Sequence, residues 1–329
     1  MTRIARVAQF GVALGAAVLL SGFGPEHLDL TLALQATGTA KWEIAAMQEL
    51  GLDKKYHLEL TVNDVADSVA GQVALQAKAA DMVLSDFVWV SLQRHQGNTV
   101  TMVPHSLAVG GLMVDPAAGI ETLADLKGKT LAVSGSPVDK SYVILAADYN
   151  KQTGGNLNDD AAPKFGAPPL VNELLVGGQA QAALNLWNWS ARAKVAGKVQ
   201  LTSVPELLKD LGVTDTPPLL GWTFFDDTGK KKKKEITAFL NASFDTKQAL
   251  LTDDALWDKI RPAMNVEDDD ALFEQLRDDY RAGIVQHYIA SDMQPAEQAF
   301  ALMAKYGGKD VVGDVTDLAD GTFWKGYHK

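Results

Sequence analysis

From Leu28 onward, short apolar runs alternate with stretches of helical spacing. Leu28–Leu34 reads as a strand, about Trp42–Leu50 as a helix, His57–Val62 as a strand, Ser68–Ala79 as a helix and Asp81–Leu84 as a strand. This βαβαβ order predicts a parallel sheet covered by helices. The rhythm continues with strands at Thr99–Val103, Gly111–Val114, Thr130–Ser134, Ala182–Leu186 and Lys198–Thr202, and helices at about Asp139–Lys151 and Leu170–Gly177. There are too many strands for one small sheet, so two α/β lobes are expected. The Gly-, Pro- and Asn-rich stretches Thr153–Asn158 and Ala161–Pro169 read as loops within the second half. After a strand at Gly221–Phe225 the chain turns almost wholly helical, with Leu272, Phe273, Leu276, Tyr280, Ile284 and Tyr288 on one stripe of a helix over 268–291.

Ahead of this pattern, Arg3 and Arg6 precede an apolar run from Val7 to Leu20 and then small residues at Ser21, Gly22 and Gly24. Residues 1–24 read as a secretory signal peptide, since the run is shorter than the ~20 residues a spanning helix needs; an uncleaved anchor is the alternative, as no A-x-A cleavage site is present. An exported, periplasmic protein is expected, and without cysteine the chain offers no lipidation site.

The chain has 329 residues, 47% of them hydrophobic and 22% charged, with a mean hydropathy of −0.04, which is the profile of a globular protein. The formal net charge of −11 becomes −13 once the leader's two arginines are removed. Such an acidic balance argues against a nucleic-acid partner. Zero cysteines exclude disulfides, thiolate metal sites and cysteine nucleophiles. The acidic run Asp268–Asp270 is expected at a helix start, where it complements the dipole, with a metal-binding role as the alternative. Lys230–Lys234 is expected to be a solvated helix start or loop rather than a polyanion-binding patch.

No HExxH, GxSxG, GxGxxG or EF-hand spacing is present. The segment Gly135-Ser-Pro-Val-Asp-Lys140-Ser141 lacks the glycines of a nucleotide P-loop. It is either a plain capped strand-to-helix turn or a turn whose backbone N–H groups suit an anion. Of the six histidines, His105 alone stands beside an expected crossover, and hydrogen-bonded packing is its plainer explanation.

Gly119-Ile-Glu-Thr-Leu-Ala-Asp-Leu-Lys-Gly-Lys-Thr-Leu-Ala-Val133 followed by Gly135-Ser136 resembles a segment of periplasmic solute-binding proteins of the nitrate/sulfonate/taurine and thiamine-precursor (NitT/TauT, SsuA/THI5-like) group of ABC importers. Gly38-Thr-Ala-Lys-Trp42, Ala80-Asp81 to Ser85-Asp86, and Gln181-Ala-Ala-Leu-Asn-Leu-Trp187 match the same group in order and spacing. The resemblance covers nearly the whole mature chain. It departs at Gln181, where an Asp is usual, at Asn188-Trp189, and at the lysine run 230–234.

The resemblance implies a two-lobed α/β, Venus-flytrap fold with mainly parallel sheets. One lobe would comprise residues 25–107 plus 226–329 and the other 108–225, with crossover segments at Ser106–Gly111 and Leu219–Phe225. It implies a monomer that binds a small anionic ligand, undergoes no turnover, needs no cofactor and docks on a permease in the inner membrane. The ligand-facing residues would be Thr39, Trp42, Ser85, Asp86, Trp89, Ser134, Ser136, Lys140, Trp187, Trp189 and Trp222.

Five tryptophans among these suggest stacking on a flat ring, and Lys140, with Arg192 on a following helix, favours an anion. A flat, anionic heteroaromatic with an electrophilic carbonyl describes pyrroloquinoline quinone, and the chain is similar to family members found beside quinoprotein dehydrogenases. The other ligands the group suggests are small sulfonates, nitrate, thiamine-precursor pyrimidines, and lanthanide ions or their carriers held by Asp64, Asp67, Asp81 or Asp86. Pyrimidine synthases share the architecture but use a cysteine-rich motif that this chain lacks.

Overall fold

The computed structural model describes residues 27–329, so the expected leader lies outside the described residues. Among the described residues ten strands form two five-stranded sheets. The first contains β1 (Leu28–Gln35), β2 (Leu58–Val65), β3 (Met82–Asp86), β4 (Val100–Ser106) and β10 (Leu220–Phe225) in the order β2-β1-β3-β10-β4. The second contains β5 (Gly110–Val114), β6 (Thr130–Ser134), β7 (Ala162–Gly166), β8 (Ala182–Leu186) and β9 (Val199–Ser203) in the order β7-β6-β8-β5-β9. In each sheet three strands run parallel, and a strand antiparallel to both its neighbours sits next to them: β10 between β3 and β4, β5 between β8 and β9.

Each antiparallel strand reaches its sheet from the other one. β4 leads through residues 107–109 into β5, and β9 leads through a short helix, Val204–Asp210, and residues 211–219 into β10. The return crossing therefore lies upstream of the expected Leu219–Phe225, because β10 itself is hydrogen-bonded in the interior of the first sheet. Gly110, at the entry to β5, has φ +130°, and a Cβ there would meet the Asn185 carbonyl oxygen at 2.0 Å; only glycine fits.

Among the described residues ten helices have eight residues or more: α1 (Ala40–Glu49), α2 (Ser68–Gln76), α3 (Phe87–His95), α4 (Lys140–Thr153), α5 (Pro168–Val176), α6 (Trp187–Val195), α7 (Lys233–Thr252), α8 (Asp254–Met264), α9 (Asp270–Ala282) and α10 (Gln294–Gly307). The two halves repeat one another at a spacing of 100 residues, so α2-β3-α3 (68–76, 82–86, 87–95) corresponds to α5-β8-α6 (168–176, 182–186, 187–195).

Two expectations fail locally. Residues 161–169 are not all loop, since β7 forms an edge strand there, the position in a sheet where Pro163 costs no ladder bond to a second neighbour. The helix expected over 268–291 ends at Ala282. Gly283 brings its backbone against the crossover, accepting the Leu107 N–H at 2.8 Å, and Ile284 bridges to Ser106. Ile284 and Tyr288 are buried all the same, because the extended segment takes over the packing. The acidic run does stand at a helix start: Asp269 accepts the Leu272 N–H at 2.9 Å, and Asp270 pairs with Arg261 at 2.6 Å.

The C-terminal third belongs to both halves. α7 packs on β1 and α1, α9 on α6, and α10 on α4, after which the tail returns to β4, where Met102 bonds both Thr322 and Trp324. The principal core runs through both sheets, and a second apolar cluster joins α1, α6, α8 and α9.

Candidate functional site

In α/β sheets, ligands gather where parallel strands end and helices begin. Here those ends meet between the two sheets. β3 runs directly into α3, with Asp86 as N-cap: its Oδ1 accepts the Trp89 N–H at 2.9 Å. Ser85 is buried and accepts from Gln72 Nε2 at 2.9 Å. One hundred residues on, β8 runs into α6, but Leu186 occupies the cap position and α6 starts without a side-chain cap. Asn185 serves the local backbone there, donating to the Pro168 carbonyl and accepting from the Leu186 N–H, both at 2.9 Å. α1 likewise begins at Thr39 with no side-chain cap. Backbone carbonyls take up part of the demand of these uncapped starts: the Lys41 and Trp42 N–H groups donate to the Gly38 and Thr39 carbonyls and the Trp187 N–H to the Val109 carbonyl, each at 3.1 Å.

Lys140 opens α4, whose cap Asp139 accepts the Ser141 and Tyr142 N–H groups. Burial pushes the Asp139 carboxyl above its usual range, against those hydrogen bonds. The Lys140 ammonium reaches across the sheets to Asp86 Oδ2 at 3.4 Å. Ser134 ends β6 in a buried position, whereas Ser136 is exposed on the turn that follows.

The tryptophans separate into three groups. Trp42 and Trp187, from opposite sides, meet edge to face at 5.9 Å between ring centroids, each 6.0 Å from Tyr280. Trp89 and Trp189 are half-buried, and the Arg192 guanidinium lies 4.8 Å from the Trp189 ring while donating to the Asn188 carbonyl at 2.8 Å. Trp222, expected to face ligand, is 0% exposed. It is packed edge-on against His105 and Phe239 inside the first half, because α7, which carries Phe239, covers its ring.

The four carboxylates considered for metal are otherwise engaged. Asp64 pairs with Lys41 at 2.7 Å, Asp67 caps α2, Asp81 takes Lys232 at 2.7 Å, and Asp86 holds Lys140. Among the described residues no three His, Asp, Glu or Cys side chains converge as a metal site. The departure at Gln181 also has a structural explanation. Its Oε1 accepts the Thr130 N–H at 3.0 Å, as Asp81 Oδ2 accepts the Thr31 N–H at 2.9 Å in the first half.

Sequence reasoning passed over a buried polar cluster behind Trp42. Glu43, fully buried, receives Lys247 Nζ at 2.8 Å and the Ser243 hydroxyl at 2.5 Å, with Tyr280 Oη at 3.4 Å and His105 Nδ1 at 3.5 Å. Burial opposes ionisation of Glu43, yet the Lys247 and His105 charges and the hydrogen bonds outweigh it and hold its pKa below the usual value. Burial, aided by Lys247, depresses His105 to about 4. The one hint in the sequence is a lone Glu between Trp42 and Ile44 near a helix start.

Two α/β lobes, two crossing connections and a junction at the strand ends define the periplasmic-binding-protein fold. A model of the NMT1/THI5-like family matches residues 43–254. The chain belongs to that family. The fold is similar to that of the periplasmic aliphatic sulphonate binding protein SsuA from Escherichia coli (16% identity, TM-score 0.70, 91% of this chain and 92% of that one). It is similar also to the alkanesulfonate-binding protein SsuA from Xanthomonas axonopodis pv. citri bound to MOPS (15%, TM-score 0.69, 92% and 99%). The desulfurization enzyme DSZB shares it as well (13%, TM-score 0.57, 89% and 97%). No curated protein matches the sequence.

Proposed function

We propose that the protein is the solute-binding component of an ABC importer, exported to the periplasm, which captures a small charged solute between its two lobes and presents it to a membrane permease. The observation that carries this reading is the convergence, beside the crossings, of side chains from opposite lobes: Asp86 with Lys140, and Trp42 with Trp187. Such a junction forms when lobes close and parts when they open. The sulfonate-binding proteins of the same fold support it.

Because the fold also serves an enzyme, the choice rests on the residues. The polar cluster around Glu43 is buried and its charges are paired within it, as in an ion pair that holds helices together. As to the solute, pyrroloquinoline quinone needs a parallel aromatic face, whereas Trp42 and Trp187 pack at 85° with no slot between them; a small solute suits this junction better.

The test is mass spectrometry of the solute that co-purifies with the exported protein. It is followed by scattering and tryptophan emission with that solute, a small sulfonate, nitrate, a thiamine-precursor pyrimidine and pyrroloquinoline quinone. One of them should contract the molecule and perturb emission without being converted. Chemical turnover of a bound compound, or no contraction with any of them, overturns the reading.

A further inference from the structure

The buried cluster behind Trp42 stands where the moving parts of the molecule meet. His105 lies near the end of β4, just before the crossover at 107–109. Its neighbour Ser106 accepts the Ala108 N–H at 3.0 Å and donates to the Gly283 carbonyl at 3.4 Å. Glu43 follows Trp42 on α1, and Trp42 is the ring that Trp187 of the second lobe meets at 5.9 Å. Tyr280 of α9 ties the two together: its ring lies 6.0 Å from both tryptophans, and its hydroxyl donates to Glu43 Oε2 at 3.4 Å. The aromatic seat between the lobes is thus the lid of the cluster.

Inside, the charges balance without His105. Lys247 reaches Glu43 Oε2 at 2.8 Å, and the Ser243 hydroxyl bridges the two side chains. His105 Nδ1 lies 3.5 Å from the same Oε2, yet it is buried and makes no hydrogen bond. The titratable groups around His105 are Glu43 from α1, Lys247 from α7 and, across Glu43, Tyr280 from α9, while β10 presents the Trp222 indole. A proton on His105 would set two cations against one carboxylate in a dry place, and charging therefore needs water. A cavity of about 100 Å³ lies between α7 and residues 284–286, with Asp245, Lys247, Gln248, Gln286 and Lys329 supplying polar groups to its wall. It gives water a place beside the cluster.

We propose that His105 is a proton-operated latch on lobe closure: neutral, it lets the lobes close over the Glu43 cluster, and protonated, it holds them open. If α9 leaves with the second lobe, the Tyr280 hydroxyl is drawn off Glu43; if α6 peels from α9, Trp187 is drawn off Trp42 and Tyr280. Either way the lid parts, water enters, and His105 takes its proton from solvent. Burial, aided by Lys247, depresses His105 to about 4 from 6.5 in the closed form. Closing between these values therefore expels a proton, and by the same linkage acid favours the open form. The latch sits at the joint and acts whichever solute is captured.

The chain has no cysteine, so two introduced thiols can be spin-labelled without interference. The experiment measures the distance between labels at Val69→Cys on α2 and Leu170→Cys on α5, exposed positions one on each lobe. It uses the full exported protein without solute at pH 7, 6 and 5. The ratio of closed to open molecules should fall with pH, reaching about twentyfold between pH 7 and 5 if opening restores His105 to its ordinary value. His105→Gln, whose amide does not titrate, should give the same distances at all three pH values. In the wild type, one histidine ring resonance should titrate with the midpoint of the distance change, a readout that stands even if the variant folds poorly. Distances that ignore pH, a pH response that survives His105→Gln, or the lack of a histidine sharing its midpoint overturns the proposal.

Discussion

The residues easiest to misjudge from sequence are those whose partners lie far along the chain. Trp222 stands on β10 shortly before the next helix begins, close in sequence to a strand-to-helix junction as Trp89 and Trp187 are, but it lies on the strand and its ring packs against His105 and the distant Phe239 of α7. Gln181 looked like a change in ligand chemistry, yet it performs the backbone-accepting task of Asp81; both side chains offer the needed oxygen. Glu43 is bound by residues 200 positions away, which no local pattern reveals. Its cluster makes stability depend on pH in one direction. His105 is depressed to about 4 from 6.5 in the folded state, so between those values the unfolded chain binds more protons and stability falls as pH falls. Glu43, also depressed, adds stability that is present above its unfolded value and lost on further acidification. Chemical denaturation at pH 7, 5.5 and 4.5 should show this decline, and His105→Gln should flatten it above pH 4.5. Glu43→Ala should cost roughly 3–5 kcal/mol at pH 7, since it strands Lys247 in the interior. An unchanged slope in His105→Gln would show that other groups carry it.

At the level of elements, the periodicity read true where one element is covered by its neighbours in sequence: β6 and β8 fall on the expected residues, and α2, α4 and α5 lie within a few of them. It went astray where a long-range contact decides the outcome. β7 is strand because it pairs with β6 through five residues, despite its Pro and Gly. α9 stops at Ala282 because Gly283 must lie against the crossover: a Cβ at 283 would stand 2.4 Å from Ala108 Cβ and 2.7 Å from its nitrogen. Gly283→Ala should therefore push α9 away from residues 107–109 and cost about 1–3 kcal/mol, as overpacking does. It should also slow or weaken the solute-induced contraction, because the strained contact is at the joint between lobes. Wild-type stability and wild-type contraction in this variant would mean that the joint yields elsewhere.

For the molecule as a whole, the two-lobed plan was legible because each lobe repeats the same strand and helix order, whereas the contacts that the C-terminal third makes with both lobes were not. α9 reaches the first lobe through Trp257 and Trp42, which flank Tyr280, and the second through α6, where Lys194 pairs with Asp279 at 3.0 Å. Ala191 sits at the centre of that seat, fully buried in the cluster that includes Trp42, Trp257 and Tyr280. Opening the lobes must therefore either carry α9 with the second lobe or peel α6 off it. The small side chain at 191 lets the seat close, and a longer one acts as a wedge. Ala191→Leu should hold the lobes apart, with a larger radius of gyration in the absence of solute and solute affinity reduced about tenfold or more. Melting temperature should fall as well, because the added volume has no room in a packed cluster. Were scattering and affinity both to match the wild type, α6 and α9 would have to move as one body, and opening would be confined to the segments at 107–109 and 211–219.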